Sequence, residues 1–484
     1  VAASARSVDL TGYVGTLTHN SGITLSIGDA TAGAGNVALK FVAGMTYTLG
    51  SVTTSAISFI STSATQQTIT TGGKTLGNWT INGAGSSYLL SDSNTVGSTS
   101  TVTLTAGTLN TNGETVSWGT LSSSNSNTRT LTLGASVVTI NGTGTAWDIT
   151  TTTGLTFGAN TSEVIFNNNS SIAHGSSYTL GFNKITVNSG YTLTMATGFS
   201  INGGILTLNA NSVLTGSGKT LTIWSGTSVT PLVLDSTADM SGINNIQFWE
   251  TTVSGITLPA FQNYPSIKLT ESNDNIFTWL GGNVKINGYL TINENGTNAR
   301  NGLDLKGYSL EVTGNLNIGS GSSVGMLQNS GSQTTLTVGG NIAINLPAHS
   351  YNNEIDSTNI LISVAGNFTN NGTFTHGSST LTLNGTSDQT ITTNSQAFYN
   401  LTPNNTGASG SDDIIISGAL DVNGLLTITD GDLDVSTNDS NVNIANGMTV
   451  GANGSIDLSA YAGTWTYDGT GTLTDNRSTI GNLG

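Results

Sequence analysis

A short strand pattern, repeated along most of this 484-residue chain, is the strongest constraint on its fold. Each repeat is a pair of apolar residues separated by one other residue and followed by a turn of Gly, Asn, Ser or Asp. Near the C-terminus the pairs are Leu426/Ile428, Leu433/Val435, Val442/Ile444, Met448/Val450 and Ile456/Leu458. An earlier run consists of Val284/Ile286, Leu290/Ile292, Leu303/Leu305, Leu310/Val312 and Leu316/Ile318. Alternation with a period of two indicates short strands with one buried face.

The rhythm favours a solenoid over a series of hairpins. The strands span only about four or five residues, and the pattern continues without any helical segment. Asn-Gly pairs recur through the chain, and both residue types accept the left-handed backbone that sharp corners need. Three such strands make a coil of about 22 residues, and stacked coils pair in parallel at about 4.8 Å per layer. We therefore predict an all-β fold, a right-handed parallel β-helix (β-solenoid) with insertions at its corners, one of them at 293–302.

The composition agrees with this fold class. Charged residues make up 8% of the chain, against about 25% in an ordinary soluble domain. Gly, Thr, Ser and Asn are abundant, and all four are poor residues for helix interiors. The regular alternation of apolar residues argues against a disordered chain.

Cysteine is absent from the chain, so packing and backbone hydrogen bonds must stabilise the fold. The sequence begins at Val1 and not at Met, which leads us to expect a processed chain from which a targeting segment was removed. No apolar run approaches the roughly 18 residues of a membrane helix. We expect a secreted, extracellular protein at a cell surface, with no membrane span.

The net charge of −16 comes almost entirely from the second half of the chain. Six acidic and six basic residues precede residue 235, whereas 21 acidic and five basic residues follow. Nucleic acid is therefore not expected as a partner, because a phosphate backbone needs a basic surface. An acidic half could bind cations or keep a long particle dispersed.

Proline marks a boundary at the same place. Three of the five prolines, Pro231, Pro259 and Pro265, lie where the charge changes. Both ends of the chain carry strand patterns and no cap helix, so each end could cap the solenoid or pair between subunits. We predict N-terminal strands in 1–70, a neutral solenoid half in 71–230, a joint or insertion in 231–265, an acidic solenoid half in 266–463 and C-terminal strands in 464–484.

Three segments carry a resemblance to a known group of proteins. They are "GNFTNNGTFTHGSSTLTLNGTSDQTITTNSQAFYNLT" (366–402), "GYSLEVTGNLNIGSG" (307–321) and "GTLNTNGETVSWGTLSSSNSNTRTLTLG" (107–134). These segments resemble the repeats of secreted, Gly/Thr/Asn-rich bacterial surface and adhesin-like β-solenoid proteins. The likeness covers roughly 70–480, and it implies a solenoid fold and a cell-surface location.

Candidate catalytic residues are few. A glycosidase needs two carboxylates a few ångströms apart. The paired acids Asp412 and Asp413 lie in a segment, 402–413, that we predict to be an exposed loop. The four histidines have no acid or serine at motif spacing; they are His19, His174, His349 and His376. We therefore predict no catalytic residues, no cofactor-binding residues and no enzymatic activity.

The best metal candidate is the segment "TDGDLDVSTNDS". Asp430, Asp432 and Asp434 alternate along a strand, so we expect all three on the outer face, with Leu433 and Val435 facing the core. Three carboxylates on one face repel unless a cation or water screens them. The segment resembles the start of a calcium loop, although its glycine and later glutamate are misplaced. Calcium is one interpretation, and a solvated acidic ridge is the other.

Aromatic residues offer a possible contact with sugars. Seven tryptophans could stack on carbohydrate rings, but they share no recognisable face, so core or corner packing is the alternative; they are Trp79, Trp118, Trp147, Trp224, Trp249, Trp279 and Trp465.

Together these patterns predict an extracellular structural protein, a β-solenoid subunit that assembles with itself head to tail into a surface filament or coat. One alternative is a monomeric surface adhesin that binds cell-surface or environmental polysaccharide. A second alternative is a polysaccharide-active β-helix enzyme or a phage tailspike.

Overall fold

The structure, a computed structural model, describes residues 3–175, 178–224, 230–250, 255–271, 277–294, 302–319, 324–346 and 353–477. The chain divides into two compact units, Val1–Asn244 and Asn245–Gly484. The division falls inside the segment 231–265, where the prolines cluster and the charge changes.

The described residues form 52 strands and two short 3₁₀ turns, Ala34–Asn36 and Tyr178–Leu180. Strands β1 to β26 are, in order, Ala3–Ala5, Val8–Asp9, Thr16–His19, Thr24–Ile27, Val37–Lys40, Thr46–Leu49, Ala56–Phe59, Gln66–Thr70, Thr75–Leu76, Asn78–Leu90, Asn94–Val96, Thr101–Asn110, Val116–Trp118, Thr120–Ser122, Arg129–Thr132, Val137–Ile140, Gly144–Ile149, Leu155–Gly158, Glu163–Phe166, Ser170–His174, Phe182–Val187, Thr192–Met195, Phe199–Leu208, Val213–Trp224, Leu232–Leu234 and Asp239–Glu250. Strands β27 to β52 are Thr257–Leu258, Phe261–Tyr264, Ser266–Glu271, Phe277–Leu280, Val284–Ile286, Leu290–Glu294, Gly302–Asp304, Leu310–Val312, Leu316–Ile318, Met326–Gln328, Thr334–Val338, Ile342–Ile344, Glu354–Asp356, Ile360–Val364, Phe368–Asn370, Thr373–Thr375, Thr380–Leu383, Gln389–Thr392, Asn400–Pro403, Asp413–Ser417, Leu420–Val422, Leu425–Asp434, Val442–Ile444, Gly447–Asp457, Trp465–Tyr467 and Leu473–Asp475.

The chain is a parallel β-solenoid, as the strand rhythm predicts. It has about 19 coils, with a spacing of about 23 residues between successive coils, close to the predicted 22. The spacing varies because loops of different length leave the corners. Leu25 pairs with Ile57, 32 residues further along the chain, whereas Thr101 pairs with Thr120, 19 residues further along.

In the first unit each coil contributes strands to three parallel stacks. One stack contains β7, the first part of β10, the first part of β12, then β14. A second contains β8, the later parts of β10 and β12, and β15. The third contains β11, β13, β16 and β19. Three stacks per coil enclose a narrow interior that side chains fill.

Large apolar side chains form ladders inside the first unit. Ile57, Trp79, Val102, Leu121 and Trp147 occupy successive coils in register. All five are essentially inaccessible to solvent. Each such side chain contributes about 1.5–3 kcal/mol through burial, so the ladder stabilises a chain that has no cysteine for disulfides.

The second unit repeats the arrangement. Leu316, Ile342, Phe368 and Ile391 stack in successive coils and are fully buried. On a second side of this unit, β34, β37, β40 and β43 form a parallel stack. Strands β47, β49 and β51 form a separate parallel sheet near the C-terminus.

Left-handed residues turn the chain at the corners. Asn112 and Gly113 form one such corner, with φ of 58° and 78°. Asn160, Asn211 and Asn359 are also left-handed, and none of them precedes a glycine. Asparagine alone therefore makes several of the corners, because its side chain tolerates this conformation better than other non-glycine residues do.

The terminal segments continue the solenoid. The N-terminal segment 1–70 forms β1 to β8, and its coils are long, since Leu17 pairs with Tyr47 thirty residues later. The C-terminal segment 464–484 forms β51 and β52, and residues 478–484 lie outside the described part of the chain.

Within the described ranges, no helix has the length and apolar character needed to span a membrane.

Candidate functional site

The two ends of the solenoid expose strand edges. At the N-terminal end, β1, β2 and β3 each pair with one described strand, which is β4, β5 and β6 respectively. At the C-terminal end, β51 pairs with β49 alone and β52 with β50 alone, as far as the described residues extend. The other edge of each terminal strand presents backbone N–H and C=O groups that could pair with a further strand. We call these surfaces the N end and the C end.

The N end contains a groove of about 470 Å³. Leu17, Leu25 and Tyr47 line it with partly exposed side chains. His19 forms one wall, where its Nε2–H donates to the Ile23 carbonyl at 2.9 Å and its Nδ1 accepts from the Tyr47 hydroxyl at 2.8 Å. Burial raises the pKa of Tyr47. These groups are held in place, so the groove has a defined shape.

The C end contains a more apolar groove of about 320 Å³. Trp465 and Tyr467 stand in register above Val442 and Ile444, which are buried core residues. They therefore occupy inward positions, yet both are partly exposed because no described coil covers them. Leu473, which lies above Met448, is 55% exposed. Within residues 353–477, the end of the hydrophobic core is open to solvent here.

An acidic cluster lies on the side of the second unit. Asp412, Asp413 and Asp432 can each place one carboxylate oxygen within 4.8 Å of the others. Parallel register explains the contact, since Asp413 on β46 pairs with Asp432 on β48. Asp388 joins from the preceding coil, where its Oδ1 accepts a hydrogen bond from the Asp413 N–H at 3.2 Å.

Burial and neighbouring charges change the titration of Asp413 in this cluster. Burial, together with the charges of Asp388, Asp432, Asp434 and Asp412, raises the pKa of the Asp413 carboxyl. A proton or a cation would relieve the repulsion. The three oxygens are ligands of the kind that hard cations prefer.

The predicted trio of Asp430, Asp432 and Asp434 does not form one group. Asp434 is only 5% exposed, and its Oδ1 accepts from the N–H groups of Ser436 and Thr437 at 2.8 and 2.9 Å, so it caps a turn. Gly431, between Asp430 and Asp432, has a positive φ of 82°, so the backbone does not alternate regularly between these two acids. Of the three, Asp432 alone belongs to the cluster that could share an ion, and calcium there stays a prediction.

Asp412 and Asp413 correct the sequence analysis in a second way. The segment 402–413 is predicted to be one exposed loop, and residues 404–412 do connect two strands. The strands reach further into the segment than expected, since Pro403 ends one and Asp413 begins the next. Asp413 and Asp432 are 19 residues apart, about one coil. A search for acids one coil apart would therefore have found the cluster, whereas local alternation pointed to the wrong partners.

The remaining candidate residues are dispersed. His174 is fully buried, while His376 lies on the outer surface of the second unit and His349 falls outside the described residues. Trp79, Trp118 and Trp147 are core residues, which confirms the packing interpretation for these three. Trp279 lies beneath the Lys306 ammonium, 5.8 Å from the ring centre.

Comparison of the chain with protein-family models, with curated proteins and with solved structures finds no match. The resemblance to bacterial surface solenoids thus stays a prediction, and a proposal of function must rest on the solenoid, its two ends and its surface groups.

Proposed function

We propose that this protein is an extracellular structural subunit whose copies stack head to tail, the C end of one on the N end of the next, to form a filament or coat. The observation that carries the proposal is that, among the residues the structure describes, both ends combine unpaired strand edges with an uncovered part of the hydrophobic core. A further coil placed on either end would pair the edges and bury the apolar side chains.

The direction of the strands favours a head-to-tail contact. All strands of a solenoid run the same way around each coil, so a coil from a second copy can continue the parallel pairing only in the same orientation. Such a contact is heterologous, and each addition leaves one free N end and one free C end. The contact itself therefore sets no limit on the length of the filament.

The side chains at the two ends differ in size. At the N end, the inward positions of β1 hold small residues, Ala3 and Ala5, beside Val8 of β2 and the groove of Leu17. Inward positions at the C end hold Trp465, Tyr467 and Leu473. Large side chains from one end opposite small ones from the other allow close packing, and buried aromatic residues dominate many protein interfaces.

The proposed location outside the cell rests on composition. The chain has no cysteine to be affected by an oxidising environment, few charges and segments that resemble repeats of bacterial surface proteins. No nucleic-acid partner is proposed, because the basic residues are few and dispersed.

The direct test is the state of association of the purified chain across a concentration range of about a hundredfold. We expect sedimentation velocity to show growth with concentration and negative-stain images to show unbranched filaments. Fibre diffraction should give a meridional repeat of about 4.8 Å, the spacing of stacked coils. Dispersed monomers at every concentration would contradict the proposal.

A second candidate function has one specific observation in its favour. A glycosidase uses two carboxylates a few ångströms apart, one of them with a raised pKa. Asp413 and Asp432 fit that description. We expect no release of reducing sugar from a panel of polysaccharides. Release that disappears in Asp432→Asn would instead favour the enzyme.

A further inference from the structure

A groove of about 450 Å³ with several polar lining side chains lies on the second unit. We call it the outer groove. Its polar lining consists of Ser395, Asp421, Asn441, Asn443, Thr464 and Thr466.

The solenoid register builds this groove. Strands β47, β49 and β51 stack in parallel, with Asp421 opposite Asn443 and Asn443 opposite Thr466. Their neighbours Val422 and Ile444 are buried, so these three side chains point outward. Each layer adds one polar side chain about 4.8 Å from the last. The result is a row of hydrogen-bonding groups on a rigid base.

One acceptor at the groove lacks a donor among the described residues. The Asn443 amide donates from Nδ2 to Asp421 Oδ1 at 3.2 Å. Its Oδ1 is buried and has no hydrogen-bond partner among the described residues. An unpartnered buried carbonyl oxygen is costly, by about 1–3 kcal/mol. A ligand hydroxyl that reaches Asn443 Oδ1 would supply the missing donor, and a second hydroxyl could donate to the neighbouring Asp421 carboxylate.

One wall of the groove is held in an unfavourable backbone conformation. Asn394 and Ser395 are consecutive non-glycine residues with φ of 49° and 55°. Left-handed serine is uncommon, and such residues occur often at binding sites, where surrounding contacts hold them. The Asn394 amide donates to the Gly372 carbonyl at 3.1 Å, which fixes this corner.

An aromatic pair lies beside the groove. The rings of His376 and Tyr399 are stacked, with centroids 6.1 Å apart and an angle of 27° between planes. His376 Nδ1–H donates to the Gly377 carbonyl at 2.7 Å, and Nε2 accepts from Asn423 Nδ2 at 3.2 Å. Asn423 follows Asp421 by two residues, just beyond the end of β47, so the Cα atoms of the two residues are at most about 7 Å apart. The pair and the groove are therefore within reach of one small ligand.

From these observations we infer that the outer groove and the His376–Tyr399 pair form a binding site for neutral oligosaccharides. The apolar face of a sugar ring packs on the aromatic pair, while its hydroxyls donate to Asp421 and Asn443. A carboxylate that accepts hydroxyl hydrogen bonds suits neutral sugars. The same carboxylate repels the carboxylate of a uronic acid. The acidic character of the second unit adds to this repulsion, because residues 245–484 include 19 acidic and five basic residues.

This site goes beyond the proposed structural role and does not depend on it. Tyr399 and Asp421 belong to earlier coils of the second unit, whereas stacking uses the ends. Thr466 of the groove lies on β51, so the groove borders the C end. If copies do stack, the sites repeat along the assembly, and many weak contacts with one polysaccharide would combine into strong attachment.

The test measures binding of the full-length protein to cellohexaose, laminarihexaose, maltohexaose, xylohexaose and mannohexaose, with an oligogalacturonate as the anionic comparison. We expect at least one neutral oligosaccharide to bind and the oligogalacturonate not to bind. Tyr399→Ala and Asp421→Asn should each weaken that binding at least tenfold. Tyr308→Ala, which removes another exposed tyrosine of the same unit, should leave it unchanged.

Several outcomes would overturn the inference. They are the failure of every neutral oligosaccharide to bind, tighter binding of the oligogalacturonate, or binding that persists in both variants. Asp421→Asn keeps the size of the side chain, so it decides the matter if Tyr399→Ala fails to fold. Self-association measured on the same variants should be unchanged, which separates this site from the stacking contact.

Discussion

Arg129 shows how single polar residues stabilise the interior of the first unit. Its side chain is 1% exposed, and its described partners include no carboxylate. Nε donates to the Ser123 hydroxyl at 2.8 Å, and the two Nη groups donate to backbone carbonyls of Asn127, Thr151 and Thr153. Burial lowers the pKa of this guanidinium. The planar guanidinium group thus donates hydrogen bonds to carbonyl groups at two neighbouring corners.

Replacing Arg129 with lysine should lower the free energy of unfolding by about 2 kcal/mol or more, because a single ammonium cannot reach all of these carbonyls. Urea unfolding followed by circular dichroism would measure the loss. Lys184→Met is the matched control, since Lys184 forms a partly exposed ion pair with Glu163 and should matter by less than about 1 kcal/mol. Equal stability of the Arg129→Lys variant and the natural protein would contradict this role.

His174 makes the stability of the same unit depend on pH. The ring accepts a hydrogen bond from Trp147 Nε1 at 3.1 Å and donates one to the Leu180 carbonyl. Burial lowers the pKa of His174 from 6.5 to about 4. As the pH falls, the unfolded chain therefore takes up a proton at a higher pH than the folded protein does. The contribution of neutral His174 to the free energy of unfolding is complete above pH 6.5 and is lost as the pH falls towards 4.

Between pH 6.5 and pH 4 the free energy of unfolding should fall by about 3 kcal/mol because of His174. His174→Gln should flatten this part of the stability–pH curve, because glutamine can accept from Trp147 and donate to Leu180 without titrating. Unfolding titrations of both proteins at pH 7, 5.5 and 4.5 would measure the difference. Parallel curves would show that His174 does not titrate as described.

At the scale of the element, asparagine ladders hold the corners of successive coils in register. Asn167 donates to Asn141 Oδ1 at 3.1 Å and accepts from Asn188 Nδ2 at 2.9 Å, and Asn209 donates to Asn188 at 3.2 Å. Each side chain links its own coil to the one before. The ladder adds stability at positions where strand pairing ends.

Asn167→Ala should destabilise the first unit by about 1–2 kcal/mol, because it removes a hydrogen bond on each side. Asn209→Ala removes one of these bonds and should cost about half as much. Hydrogen exchange at the corner amides of neighbouring coils would locate the effect. A larger loss for Asn209→Ala than for Asn167→Ala would contradict a ladder of linked contacts.

The acidic cluster is a second feature of this scale. The raised pKa of Asp413 means that the folded protein binds a proton there more readily than the unfolded chain does. Its contribution to stability is present in acid and is lost as the pH rises through the folded value. Asp413→Asn should therefore be slightly more stable than the natural protein at neutral pH, by less than about 1 kcal/mol because the group is partly solvated.

Thermal unfolding of both proteins at pH 3 and pH 7 would test this, and the difference should vanish in acid. A variant that is less stable at neutral pH would indicate that Asp413 has a favourable partner in solution, such as a bound cation. Repeating the neutral measurement with a chelator separates these cases.

At the scale of the whole molecule, the strand rhythm predicted the solenoid correctly because each apolar pair, such as Leu316 and Ile318, obeys a strictly local rule of alternation. The acidic cluster was missed for the opposite reason. Asp413 and Asp432 meet through the register of stacked coils, and that register depends on loop lengths that vary from coil to coil. The outer groove was missed in the same way, since Asp421, Asn443 and Thr466 are neighbours only after stacking.

The central claim, association of the C end with the N end, is tested most directly by mixing two half-blocked variants. Leu17→Lys places a charge in the N end, and Leu473→Lys places the same charge in the C end. Inward charges at strand edges prevent pairing. Leu425→Lys is the matched control, because Leu425 is 49% exposed on a lateral surface.

Sedimentation velocity should show that each half-blocked variant alone is monomeric, that their mixture forms dimers and nothing larger, and that Leu425→Lys assembles as the natural protein does. Each variant retains one functional end, so two complementary ends can meet once and no further. Head-to-tail stacking would be contradicted if either variant alone formed dimers. It would also be contradicted if the mixture stayed monomeric while the natural protein assembled.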